Sequence, residues 1–161
     1  MLESGLLAKE GNGNYINLLS QKTLSQKDIQ AILATEQGRA RRFDEVAAAV
    51  RFFFEPTLSY EAGILVWKKG KPADVAPILS DVMATLDKLT VAEWTPERIQ
   101  AVVQDLVKAT NRGVGDVFWP FRVALTGKTN SPSPQDVAAI LGKAESLRRL
   151  SAAKELASKL A

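Results

Sequence analysis

The sequence predicts an all-α protein made of two small helical lobes that together form a helical bundle. Three observations carry that expectation. Every apolar segment with a clear period repeats at three to four residues. No run alternates with period two, and no Asn-Gly or Asp-Gly turn joins two such runs. Prolines and glycines fall where helices start and stop. The 161 residues are 46% apolar and 24% charged, enough for a buried core and unlike a disordered chain. No apolar run approaches the ~20 residues of a membrane span, and no signal peptide opens the chain.

Residues 1–20, with Gly11-Asn12-Gly13-Asn14, read as a flexible opening segment, and 21–71 as the first lobe. Its first helix follows Ser25, whose partner three residues on is Asp28, with Ile29, Ile32 and Leu33 inward. A second helix over about 42–54 buries Val46, Val50 and the run Phe52-Phe53-Phe54, and Pro56 ends it. The lobes meet within 56–72, and 72–161 forms the second. There a helix over about 73–89 aligns Ile78, Val82, Met83, Leu86 and Leu89. The next, over about 96–110, has Ile99, Val102, Val103, Leu106 and Val107 on one face. Thr95 caps it, Pro96 takes the first position, Glu97 suits the positive dipole end, and Trp94 staples to Ile99. Pro120 begins a short helix that Gly127 closes. Ser133 and Pro134 open another, with Asp136 in its first turn and Val137, Ile140 and Leu141 inward, and Gly142 stops it. From Ala144 a last helix carries Leu147, Leu150, Leu156 and Leu160.

The chain has no cysteine and no histidine. Disulfides, thiolate and imidazole metal sites, and Ser-His-Asp or Cys-His catalysis are therefore excluded. Glu36, Asp44 and Glu45 sit among Arg39, Arg41 and Arg42, a pattern read as a solvated charged surface. Gly113 and Gly115 form no phosphate loop, since GxxxxGK[ST] and a preceding strand are both missing. At least two of residues 52–54 read as core rather than as base-stacking rings, because three adjacent aromatics on a helix point around most of its circumference. Charge is uneven: residues 111–161 hold four acids against eight bases. A local excess of +4 points to a polyanionic partner.

The most informative stretch is Trp119-Pro120-Phe121-Arg122-Val123-Ala124-Leu125-Thr126-Gly127, continued by Ser131-Pro132-Ser133-Pro134, Ile140-Leu141-Gly142-Lys143 and Arg149-Leu150. It describes a helix, a glycine turn and a proline-stiffened loop that would present N–H groups and serine hydroxyls to an anion or base edge. The string resembles the "PLR-x-ALTG … SP … LLGK … RL" signature at the C-terminal end of bacterial-type glutamyl-tRNA synthetases. Upstream, Asn12-Gly13-Asn14-Tyr15-Ile16, Gln37-Gly38-Arg39-Ala40-Arg41, Phe52-Phe53-Phe54-Glu55 with Tyr60, and Trp94-Thr95 resemble further family segments in the same order. Phe121 departs from the usual leucine, and Pro134 from a more usual aliphatic residue.

The resemblance implies an anticodon-binding region whose partners are the anticodon loop of glutamate tRNA and the catalytic half of the same enzyme. Arg39 falls at the position that reads the third anticodon base, and Arg122, Ser131, Pro132 and Pro134 at positions around the other two. No catalytic residue, metal or cofactor is expected in this segment. ATP and Mg belong to the implied parent, a glutamate–tRNA ligase whose HIGH-like and KMSKS-like motifs this chain lacks. The chain then reads as an excised C-terminal region or a stand-alone homologue, monomeric, cytoplasmic and not membrane-bound. The alternative is a stand-alone helical protein-interaction module derived from the same fold.

Overall fold

A computed structural model describes residues 2, 5–39, 43–68 and 70–160. The chain divides into two compact units, Met1–Leu58 and Ser59–Ala161. Residues 59–71, grouped with the first lobe from the sequence, thus belong with the second.

The chain is mostly helical, as expected, and its first unit adds a small sheet. Strands β1 (Leu7–Lys9), β2 (Tyr15–Asn17) and β3 (Thr23–Leu24) form an antiparallel sheet in the order β1-β2-β3. Leu7 pairs with Asn17, and Tyr15 pairs with both Lys9 and Leu24. Gly11-Asn12-Gly13-Asn14 is the hairpin turn between β1 and β2 rather than a flexible lead. Glu10 N donates to Asn14 O at 2.9 Å, Asn14 N donates to Asn12 Oδ1 at 3.2 Å, and Gly13 supplies the positive φ of 85°. Asn17, 3% exposed, ties the sheet to the aromatic run. Its Nδ2 donates to Phe54 O at 2.9 Å, while its Oδ1 accepts from the N–H groups of Leu19 and Ser20.

Helix α1 (Gln26–Ala34) starts at Ser25 with the capping box read from the sequence: Asp28 N donates to Ser25 Oγ, and Ser25 N donates to Asp28 Oδ2 at 2.8 Å. Ile29 and Ile32 are buried as expected, but Leu33 faces solvent. The helix expected over 42–54 is shorter. Helix α2 spans Phe43–Val50, and Arg51–Phe53 tightens into a 3-10 turn. That tightening buries Phe52 and Phe54 and leaves Phe53 half-buried, stacked on Phe52 with ring centres 4.3 Å apart.

The second unit is helical: α3 (Pro72–Asp87), α4 (Pro96–Thr110), α5 (Val114–Thr126), α6 (Pro134–Leu141) and α7 (Lys143–Ala157). Helix α3 packs against α4, α5 and α7, while α6 packs against α4, α5 and α7. Val82, Leu86, Ile99, Val103, Val117, Phe121, Leu125, Val137 and Leu150 are sealed between them. Thr95 caps α4 through Arg98 N, and Asn111 ends it in the left-handed conformation. Met83, Leu106 and Leu156 are only half-buried, and Leu160 lies beyond the end of α7.

Pro120 does not begin α5; it lies inside it, buried. A proline there removes a helix hydrogen bond at a cost of about 3 kcal/mol. The burial of Val117, Phe121, Ala124 and Leu125 along the same helix offsets that cost. Trp94, read as a staple, is buried and donates from Nε1 to Ala138 O in α6 at 2.8 Å. Among the described residues, no helix is long and apolar enough to cross a membrane.

Candidate nucleic-acid interface

In the first unit, Arg39 ends the turn that follows α1. Gly38 turns the chain with φ of 81°, and Arg39 N donates to Glu36 O at 3.0 Å. The Arg39 side chain is 39% exposed and its Nε lies 3.5 Å from Glu36 Oε2. Glu36, read as a surface charge, is instead 7% exposed. A buried carboxylate needs a partner, so Glu36 anchors the arginine while the side chain stays reachable. Arg41, Arg42 and the side chain of Asp44 lie outside the described residues.

In the second unit, the other four expected residues meet at the α5–α6 corner. Gly127 closes α5 with φ of 66°, and its N–H reaches Val123 O at 2.7 Å. Thr126 Oγ1 donates to Arg122 O and accepts from Lys128 N, which folds the chain back on the helix end. Arg122, one turn earlier, donates from Nη1 to Ser131 O at 2.9 Å. The side chain therefore holds the loop. Ser131 is 2% exposed, its Oγ donates to Pro132 O, and Pro132 and Pro134 are buried. The Ser131 hydroxyl, expected to face a ligand, thus points inward, and the prolines are packed beneath the loop they stiffen. Thr129 and Asn130 are the exposed positions of the loop. Ser133 starts α6 without a side-chain cap, while Pro134 takes the first helical position as read.

Two further motif residues hold helix ends, Arg149 that of α5 and Lys143 that of α3. Arg149 on α7 donates from Nη1 to Leu125 O at 2.7 Å and pairs with Glu145 through Nε at 2.8 Å. That carbonyl sits in the last turn of α5, where intrahelical partners run out. Burial alone would raise the Glu145 pKa, but the hydrogen bonds from Arg148 and Arg149 outweigh it and hold the carboxyl at about 2. Burial pushes the Tyr60 phenol up to about 12, partly countered by the charge of Arg149. Lys143, the lysine of the Leu-Gly-Lys motif, donates from Nζ to Asp87 O at 2.7 Å and Leu89 O at 2.9 Å. It caps the C-terminal end of α3, so its part in the signature is structural.

The sequence reading passed over an aromatic pair beside Arg122. Trp67 and Trp119 lie with ring centres 4.6 Å apart, and Trp119 donates from Nε1 to Ile64 O. Lys68 Nζ sits 4.6 Å above the Trp67 ring. A hollow of about 260 Å³ lies among Trp67, Gly115, Phe118, Trp119 and Arg122. The available signal was Trp67-Lys68-Lys69-Gly70-Lys71, an aromatic residue embedded in a basic run.

A mostly helical scaffold with an anchored, reachable arginine and a basic, aromatic-flanked corner has the make-up of an RNA-recognition module. The chain belongs to the anticodon binding domain family, whose pattern matches residues 13–154. It is 34% identical over 125 residues to a glutamate–tRNA ligase of Herpetosiphon aurantiacus, covering 78% of this chain and 25% of that protein. A glutamate–tRNA ligase of Methylobacillus flagellatus is 32% identical over 123 residues, covering 76% and 25% respectively. Among solved structures, a glutamate tRNA ligase from Elizabethkingia meningosepticum in complex with its amino acid superposes with a TM-score of 0.70 at 23% identity. That match covers 82% of this chain and 25% of the solved one. The chain therefore spans about a quarter of the length of the curated relatives it matches.

Proposed function

We propose that this chain is the anticodon-reading region of a glutamate–tRNA ligase, binding the anticodon loop of glutamate tRNA while the remaining three quarters of such an enzyme performs ATP- and Mg-dependent charging. The observation that carries this reading is the family match over residues 13–154. The region acts as a monomer in the cytoplasm and contributes no catalytic group.

Arg39 is the discriminating residue in this reading. Glutamate anticodons end in C and glutamine anticodons in G. Cytosine offers O2 and N3 as acceptors to a guanidinium, whereas guanine opposes it with N1–H and N2–H donors. The buried carboxylate of Glu36 helps to fix the donor direction. Arg122 acts mainly by fixing the 128–133 loop, because Nη1 is committed to Ser131 O. Ser131, Pro132 and Pro134 then set the path of that loop, which brings backbone edges to the other anticodon bases.

Binding of glutamate and glutamine tRNA transcripts to the wild-type chain and to Arg39→Gln tests this. Glutamine both donates and accepts, so it tolerates guanine. The C-over-G preference should fall about ten- to a hundredfold, the worth of a charged hydrogen bond of about 1.5–3 kcal/mol. Arg122→Ala should weaken both transcripts together. An unchanged preference in a folded Arg39→Gln protein removes Arg39 from the site.

A further inference from the structure

Two side chains of α5 reach past the end of the helix and pin the loop that follows it. Thr126 Oγ1 accepts a hydrogen bond from Lys128 N at 3.2 Å, and Arg122 Nη1 donates to Ser131 O at 2.9 Å. Between those two clamps lie Thr129 and Asn130, both exposed. The corner thus ends in a two-residue tip whose backbone is held on either side by the preceding helix.

The Thr126 hydroxyl is not needed to finish that helix. Gly127 already does so, through its left-handed φ of 66° and its N–H on Val123 O at 2.7 Å. A threonine hydroxyl that donates to the carbonyl four residues back, here Arg122 O at 2.9 Å, is ordinary helix behaviour. Accepting from an N–H beyond the helix is the added step, and it uses the other half of the hydroxyl's bonding capacity. Oγ1 also lies 3.3 Å from Lys128 O, so both backbone groups of Lys128 close on it. Thr126 is 1% exposed, a setting whose low dielectric strengthens such bonds. A valine there would fill nearly the same space and leave Lys128 N–H without that acceptor.

We infer that Thr126 is a positioning residue for RNA recognition: its hydroxyl fixes the Thr129-Asn130 tip in the geometry that distinguishes the first two anticodon bases. Thr129 brings a hydroxyl and Asn130 an amide, groups that both donate and accept and so suit base edges. Reading an edge requires those groups to be held in direction. A loosened tip re-packs around the wrong base, and preference falls together with affinity. The inference rests on the anticodon-binding reading above. It fails separately from that reading, because the third base is assigned to Arg39 in the other unit.

The test titrates glutamate anticodon stem-loop RNAs, unaltered or changed at the first, middle or third anticodon base, into the 161-residue chain. The proteins are wild type, Thr126→Val, Thr126→Ser and a double variant, Thr129→Ala with Asn130→Ala. A preference is a ratio of two affinities in one preparation, so a lower folded fraction does not move it. Thr126→Val should reduce the first- and middle-base preferences about two- to twelvefold, the net worth of one hydrogen bond, and keep the C-over-G preference at the third base. Thr126→Ser restores the hydroxyl and should keep all three preferences. The double variant alters only exposed positions and should relax the same two preferences as Thr126→Val. Should Thr126→Val not fold, Thr126→Ala, which adds no atom, takes its place. Equal weakening of every RNA by Thr126→Val leaves the hydroxyl a purely structural part and overturns the inference. So does Thr126→Ser that behaves like Thr126→Val, or a double variant with unchanged preferences. Wild type without preference at the first or middle base also overturns it and leaves the Arg39 reading intact. Absence of C-over-G preference in wild type, with the tip effects present, overturns the third-base reading and supports the inference. Wild type that binds no stem-loop overturns both.

Discussion

Arg149→Met should destabilise the second unit by about 3 kcal/mol at pH 7. The arginine side chain is 3% exposed, and its partners include the Glu145 carboxylate at 2.8 Å and Leu125 O at 2.7 Å. Breaking a buried ion pair costs about 3–5 kcal/mol when a charge is stranded. Here Glu145 keeps Arg148, 2.7 Å from its Oε1, so the lower end applies. Part of the loss is the Leu125 carbonyl, which forfeits its side-chain partner, a penalty of about 1–3 kcal/mol in a buried setting. For a unit of this size, 3 kcal/mol lowers the melting temperature by about 12–24 °C. All three tryptophans lie beyond Leu58, so tryptophan fluorescence during thermal unfolding reports on this unit. Glu145→Gln adds a pH signature. The fall of the Glu145 pKa from 4.5 to about 2 sets a ceiling of about 3 kcal/mol, which screening at the half-exposed Arg148 reduces to about 1–2. Because the folded-state pKa is depressed, this stabilisation is complete above pH 4.5 and is lost as pH falls toward 2. The gap between wild type and Glu145→Gln should close over that window. A loss below about 1 kcal/mol for Arg149→Met at pH 7 would refute the bracing role.

Gly115→Ala should displace the Trp67 indole, since the added methyl collides with the ring. A stability loss of about 1–3 kcal/mol with altered near-ultraviolet circular dichroism is expected, and an unchanged tryptophan spectrum would count against that packing. Asn17→Ala removes the amide that accepts two backbone N–H groups and donates to Phe54 O. It should cost about 2–4 kcal/mol in the first unit, and hydrogen exchange should show faster opening of 15–24 and 52–54 together.

Much of the second unit was legible because its caps and periods agree. Thr95-Pro96, Ser133-Pro134 and Gly142 mark helix ends where the structure has them. Pro120 misled for a physical reason: proline at a first position is cheap, but packing on both sides of it sustains a helix through its interior. The sheet escaped because strands of two or three residues are too short to display an alternating period. Its turn residues were visible, but without flanking runs they carried no strand signal. At the candidate site, residue types were readable and their directions were not. Arg122 and Ser131 could be placed near one another from the helix-turn spacing. That the arginine would bind the serine carbonyl, with the hydroxyl turned inward, depends on how the loop closes against α6. Glu36 likewise looked like surface charge because its burial comes from tertiary packing.

Gly142 ends α6 and begins α7 at once, with φ of 79° and ψ of 165°. That pairing of angles is open to glycine almost alone, and asparagine, which tolerates ordinary left-handed turns, gains no relief there. Yet a Cβ placed on Gly142 meets nothing within 4 Å. The restriction is torsional, not steric crowding by neighbours, so no compensating change elsewhere in the core can relax it. Sequence drift in either helix is free to repack the interior, while the corner between them has a single admissible letter.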